Sequence, residues 1–274
     1  MGPPAPAPDA AVLDLLSRGE LELVGQVVGA SNTTLVAEAS LDGEAVRCVY
    51  KPVLGEAPLW DFPDGTLAQR EVAAWLVSDA GGWGVVPPTV LREGPLGQGS
   101  VQLWVGPPEP EADEPGAGLV DVVAPGQVPP GWHEVVEGSG ADGSSVLLVH
   151  SDDRRLRRMA AFDVIANNAD RKGGHVLRGA GGSVQGVDHG LTFHVEHKLR
   201  TVLWGWGGQR LGQEVEHLLA DTAAALSGPA GQALAELVTP AEVAALGERI
   251  ERLAGRGRFP RPRPGAPALP WPPF

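Results

Sequence analysis

Cysteine occurs once in the 274 residues, as Cys48, so no disulfide can form within the chain and no cysteine pair is available for a metal. The opening "MGPPAPAPDA" lacks both the charged start and the apolar run of a signal peptide, and no apolar segment approaches the length that spans a bilayer. Positive charge is short as well. With 21 Lys and Arg against 34 Asp and Glu, the net charge of −13 argues against nucleic acid or an anionic membrane as the main partner. These absences lead us to expect a soluble, cytoplasmic protein with no nucleic-acid partner and no integral membrane association. Four further residue types are scarce. Asn stands only at Asn32, Asn167 and Asn168, Lys only at Lys51, Lys172 and Lys198, Tyr only at Tyr50, and Ile only at Ile165 and Ile250. A GC-rich coding sequence drains these residues wherever Arg, Ala, Val or Gly will serve, so the survivors mark positions that resist the exchange. An ammonium and a guanidinium, for instance, fit different partners. The survivors point to the surroundings of Tyr50 and Lys51, and to the run from Ile165 to Lys198.

What remains is 43% hydrophobic, too apolar for general disorder. The length suits two lobes in one unit. Residues 1–10 read as a flexible leader, 11–106 as a strand-rich N-terminal lobe, 107–118 as an acidic Pro-rich linker, 119–255 as a helical C-terminal lobe, and 256–274 as a Pro-rich extended tail. Asp9 is expected to cap a short helix over "AAVLDLLSR" that Gly19 stops. Three strands follow in "LELVGQVVG", "TLVAEAS" and "AVRCVYKP", with Lys51 at the end of the third. Thr66 and Gln69 have the spacing of a capping box for the helix "LAQREVAAWLVSDA", and "TVLREG" with "SVQLWVG" reads as a hairpin. Gly- and Pro-rich turns occupy 116–145. A helix is expected from Ser151, with Leu156, Met159, Ala160 and Asp163 on one stripe, and Thr239, Pro240 and Glu242 open the last helix. The fold class is α+β.

Phosphoryl transfer from ATP needs donors for the phosphates, a cation on the bridging oxygens, ligands for a divalent metal, and a carboxylate to orient the acceptor hydroxyl. The turn "GASNTT", with Ser31, Asn32, Thr33 and Thr34, offers backbone N–H groups and hydroxyls. Lys51 follows on a strand and Glu71 on the next helix, the spacing of a point charge and an acid to hold it. Asp170, in a loop just past a helix, can accept the acceptor proton, and Asp188 can bind the metal. Blander roles compete: Lys51 as a solvated strand end, Glu71 as a helix-surface acid, Asp163 as an anchor for the loop after it, and Arg154, Arg155, Arg157 and Arg158 as a solvated face. Four of the seven histidines, His175, His189, His194 and His197, fall in one segment, and "HVEH" has a metal-ligating spacing, which keeps a histidine-ligated hydrolase as a third reading.

"DVIANNADRKGGHVL" followed by "GVDHGLTFH" resembles the catalytic and metal-binding loops of phosphatidylinositol 3- and 4-kinases, especially the type II 4-kinases, and of HipA-type kinases. "CVYKP" with "REVAAWLVS" resembles their lysine strand and glutamate helix. More narrowly, the whole chain is similar to an actinobacterial phosphatidylinositol-kinase-related family of unassigned acceptor. The resemblance runs roughly from Val24 to Trp206, and it implies a two-lobed, protein-kinase-like fold using ATP with Mg²⁺ or Mn²⁺. It implies Lys51 on the phosphates, Glu71 as its partner, Asp170 as the catalytic carboxylate, Asp188 as the principal metal ligand, and Leu103, Trp104 and Val105 as the hinge against the adenine. His175 stands where the family commonly has Asn as a second metal ligand, and an imidazole prefers Mn²⁺ or Zn²⁺ to Mg²⁺. Two readings follow: a kinase acting on a protein or small-molecule hydroxyl, or a nucleotide-binding pseudokinase that senses without turnover.

Overall fold

The computed structural model describes residues 8–27, 30, 32–63, 65–106, 118–140 and 142–274. Ser31, most of the leader and all of the linker but its last residue lie outside the described residues. The architecture is α+β, with helices and antiparallel sheets. Helix α1 (Pro8–Arg18) is followed by β1 (Glu20–Gln26), β2 (Leu35–Leu41), β3 (Glu44–Pro52), α2 (Leu67–Ala80), β4 (Thr89–Gly94) and β5 (Gly97–Leu103). The five strands form one antiparallel sheet in the order β1-β2-β3-β5-β4. Asp42 and Gly43 sit at φ 52° and 88° between β2 and β3, the two positive-φ positions that a tight hairpin matching strand twist requires. Side chains alternate across β3. Cys48 and Tyr50 point into a small core with Leu16, Ala37, Ala39 and Val101, roofed by α1, while Lys51 projects from the other face.

Tyr50 proves to be a framework residue. Its ring is fully buried against Gly94 and Gly99, where an added Cβ would come within 2.8 Å and 2.6 Å of it. Its hydroxyl donates to the Gly97 carbonyl at 2.5 Å and accepts from the Leu96 amide. Helix α1 starts at Pro8, so Asp9 lies within it and not before it, while the Gly19 amide bonds back to the Leu15 carbonyl as expected of a stop. The capping box expected of Thr66 and Gln69 does not form. Thr66 has a helical backbone and its hydroxyl bonds Pro63, so the carboxylate of Glu56 accepts from the amides of Leu67 and Ala68 instead, at 3.2 and 2.9 Å.

The second half opens with a sheet where loose turns were expected: β6 (Val120–Val123), β7 (Trp132–Ser139) and β8 (Ser145–Ser151), ordered β6-β8-β7. Strand β6 is short and β7 is largely exposed, so little hydrophobic alternation betrays the sheet. Helix α3 (Arg154–Ala166) begins three residues later than expected, because Ser151 ends β8 and Asp153 is the cap, accepting from the Arg155 amide. The short pair β9 (Val176–Arg178) and β10 (Val184–Gly186) follows, then α4 (Gln213–Leu226), α5 (Pro229–Ala235) and α6 (Pro240–Arg256). Thr239 and Glu242 form the expected capping box on α6. Of the four arginines of α3, Arg154 is exposed as expected, but Arg155 pairs with Asp153, Arg157 bonds the Arg210 carbonyl, and Arg158 bonds Trp83 and Glu214.

The large core gathers Leu156, Met159, Phe162 and Ile165 of α3 with Trp83, Trp206 and the inner faces of α4 and α6. Ala73, Ala74 and Val77 of α2 belong to this core. One helix therefore packs against both the five-stranded sheet and the helical half, and it carries Glu71 at their junction.

Candidate functional site

Lys51 reaches from the end of β3 and Glu71 from the second turn of α2, and the ammonium lies 2.5 Å from Glu71 Oε1. The same nitrogen lies 2.8 Å from Asp188 Oδ1, in the loop after β10. The other oxygen of Glu71 accepts the backbone N–H of His189 at 2.9 Å. A single buried carboxylate thus ties the lysine strand to the Asp188 loop. Burial alone would depress the Lys51 pKa, but the carboxylates of Asp188 and Glu71 outweigh it and hold the ammonium above its ordinary value. Burial pushes the other way on Asp188, and the lysine beside it holds the carboxyl well below the usual range. Asp188 also takes a left-handed backbone, φ 59°, uncommon for a residue with a side chain and of a kind that clusters at functional sites.

Asp170 follows α3 on a rigid scaffold. Asn167 closes the helix in the left-handed conformation, φ 54°, donates to the carbonyls of His194 and Glu196, and accepts from the Lys198 amide. Asn168 donates to Asp163 Oδ1 and accepts the Asp170 amide. Asp163 is the anchor expected of it. Fully buried, it pairs with the fully buried Arg171 and accepts from Thr201. Arg171 in turn donates to the Val187 carbonyl and to His189 Nε2, locking the two loops together. Burial, with the negative Asp188 nearby, pushes the Asp170 pKa up to about 6, against the opposing pull of Lys172 at 3.4 Å.

His175 Nδ1 lies 2.9 Å from the Asp170 carbonyl, which can only accept, so Nδ1 carries the proton and Nε2 keeps its lone pair. Burial and the cations Arg171, Lys51 and Lys172 lower its pKa to about 4, leaving the ring neutral near pH 7. Nε2 then faces Asp188 Oδ2 at 3.3 Å, acceptor against acceptor. One donor atom each from Asp170, His175 and Asp188 lies within 4.8 Å of the others. Two carboxylates and an imidazole nitrogen converging on one point fit a divalent cation, and the nitrogen suits Mn²⁺ better than Mg²⁺.

The remaining expectations fare unevenly. His194 packs edge-to-face on Phe62, and neither it nor His197 joins a metal-sized cluster among the described residues. The "HVEH" spacing does not converge because the segment is bent and non-helical, and the histidine-ligated hydrolase loses its ligand set. In the "GASNTT" turn, the Thr33 amide donates to the Gly55 carbonyl, the Thr34 hydroxyl to the Asn32 carbonyl, and Asn32 Oδ1 accepts from Ala57. These groups staple the turn to the segment after β3. Leu103 ends β5, Trp104 N–H donates to Arg47, and Val105 is buried behind them. Sequence reasoning missed Lys172 beside Asp170, the buried Arg171, and the pair Arg70–Glu242. Only the rarity of lysine pointed to the first.

Fold and site together define a two-lobed α+β protein with a lysine bridging two carboxylates beside a cation-sized cluster of donors. No family model matches the sequence. The chain is 49% identical over 263 residues to "Protein Rv2133c" of Mycobacterium tuberculosis, an alignment covering 95% of this chain and 94% of that protein, and it belongs to the same family. Among solved structures it is similar to the Golgi casein kinase, TM-score 0.46 over 93% of this chain and 79% of that one, at 11% identity. A second structure of that kinase, with Mn/ADP bound, gives a TM-score of 0.49 over 94% and 80%, also at 11% identity.

Proposed function

We propose that the chain is a kinase-like phosphotransferase that moves the γ-phosphate of ATP to a hydroxyl of a protein or small-molecule acceptor. The observation that carries this reading is the position of Lys51 Nζ, held at once by Glu71 at 2.5 Å and Asp188 at 2.8 Å, with Asp170 and His175 alongside. A phosphoryl transfer site must present a fixed cation and anionic metal ligands on one side, and a carboxylate near the acceptor on the other.

In this reading Lys51 exchanges part of its contact with Asp188 for phosphate oxygens, while Glu71 keeps the ammonium aimed. Asp188 and His175 would hold Mn²⁺ or Mg²⁺, which would neutralise charge on the phosphates. Asp170 accepts the proton of the attacking hydroxyl as its oxygen bonds to phosphorus and the bond to the ADP oxygen breaks. Lys172 balances the carboxylate. Leu103 to Val105 border the adenine, and the resemblance to phosphatidylinositol-kinase-related sequences supports the same assignment of roles.

Calorimetry of ATP binding with Mn²⁺, with Mg²⁺ and without metal tests this. We expect metal-dependent binding, strongest with Mn²⁺, weakened about 100-fold in Asp188→Ala through loss of one charge-assisted contact. No binding under any metal would overturn the proposal. A second reading, a nucleotide sensor without turnover, is favoured by one observation, the imidazole at His175 in place of an amide. His175→Asn separates the two: ATP hydrolysis or transfer that persists and turns toward Mg²⁺ marks the enzyme, and binding without turnover in both forms marks the sensor.

A further inference from the structure

The segment after α6 does not hang free. Phe259 is buried in the large core, the Ala268 carbonyl accepts from the Thr201 amide and from Trp204 Nε1, Leu269 packs against the core, and Pro270 is buried. From there the chain reaches the Asp170–His175 loop. The Pro273 carbonyl accepts the backbone N–H of Gly173 at 2.8 Å. The ring of Phe274 covers Gly173 so closely that an added Cβ would lie 2.2 Å from its Cε1.

Gly173 and Gly174 are the most permissive stretch of that loop, and they separate Asp170 from His175. The amide of Gly173 opens the short turn Gly173–His175 and would otherwise lack a partner inside it. The strap therefore fixes the loop at its weakest point, one turn from the imidazole that faces Asp188. We propose that Pro273 and Phe274 are positioning residues for His175: by clamping Gly173 they hold the imidazole nitrogen in register with Asp170 and Asp188. The inference rests on the metal-dependent reading above and extends it to a segment that contacts the loop at Gly173.

The test compares wild type, Phe274→Ala, Phe274→Tyr and, as a control on the exposed part of the strap, Arg263→Ala. Two quantities are read: hydrogen exchange of the peptide spanning 170–178, and affinity for Mn²⁺ alone, with thermal melts alongside. In Phe274→Ala we expect exchange at Gly173–His175 to quicken about 10-fold and Mn²⁺ to bind about 5-fold more weakly, with exchange of the five-stranded sheet unchanged. Phe274→Tyr and Arg263→Ala should behave as wild type. A folded Phe274→Ala with wild-type exchange and wild-type Mn²⁺ affinity overturns the proposal. A variant that loosens the whole molecule equally also overturns it, because that is a merely structural role. If Phe274→Ala does not fold, Phe274→Leu is judged by the same two readings. Wild type that binds no Mn²⁺ sinks the phosphotransfer reading, and the exchange data then decide on the clamp by themselves.

Discussion

His150 is fully buried against the rings of His133 and Trp206, with Nδ1 donating to the Ser151 carbonyl and Nε2 accepting from the Gly205 amide. A second proton would cost the Gly205 bond, and burial lowers the pKa from 6.5 to about 4. Between those values the unfolded chain binds the proton and the folded chain does not, so stability falls as pH drops from 6.5 toward 4, by up to about 3 kcal/mol from this residue. Urea denaturation at pH 7.5 and pH 5 should show that loss shrink in His150→Gln, which keeps an acceptor; an equal loss in both proteins would refute it. The scarce residues can be judged at this scale too. All three lysines pair with carboxylates: Lys51 with Glu71 and Asp188, Lys172 with Asp170, and Lys198 with Asp61. The three asparagines bond backbone groups, and Asn167 and Asn168 donate and accept at once, which the acceptor-only carboxylate of Asp cannot do. Rarity therefore found positions under constraint, but it could not separate chemistry from scaffold, and Tyr50 belongs to the scaffold.

Helix α2 is fixed by residues adjacent in sequence. Beside Glu71, the buried Arg70 pairs with the buried Glu242 of α6 at 2.6 Å and donates to the Thr192 carbonyl. Removing one partner of a buried pair leaves an uncompensated charge, so Arg70→Met should destabilise the fold by about 3–5 kcal/mol. Chemical denaturation measures this directly, and a loss under about 1 kcal/mol would mean that the pair contributes little. Elements with strong local signals were legible: the Asp42-Gly43 hairpin, the β4–β5 hairpin, and the box that opens α6. The sheet β6-β8-β7 was not, because β6 pairs β8 across the intervening β7, and the local β7–β8 hairpin is masked by the exposure of β7, which removes its apolar alternation. The cap on α2 was hidden for a related reason, since Glu56 acts across a loop of ten residues that no local template spans.

For the molecule as a whole, the net charge of −13 sets the long-range field. Vesicles rich in anionic lipid should fail to retain the protein in a flotation assay at about 0.1 M salt, and co-flotation would reopen an inositol lipid as acceptor. Among the described residues no helix is long and apolar enough to cross a membrane. The double fastening of α2 bears on control. Arg70 binds the helix to α6, and Glu71 joins Lys51 to the loop of Asp188. To switch the site off by swinging this helix outward would mean rupturing two buried ion pairs in one motion. Control is therefore expected to act outside this frame, and not through the alignment of Lys51, Glu71 and Asp188.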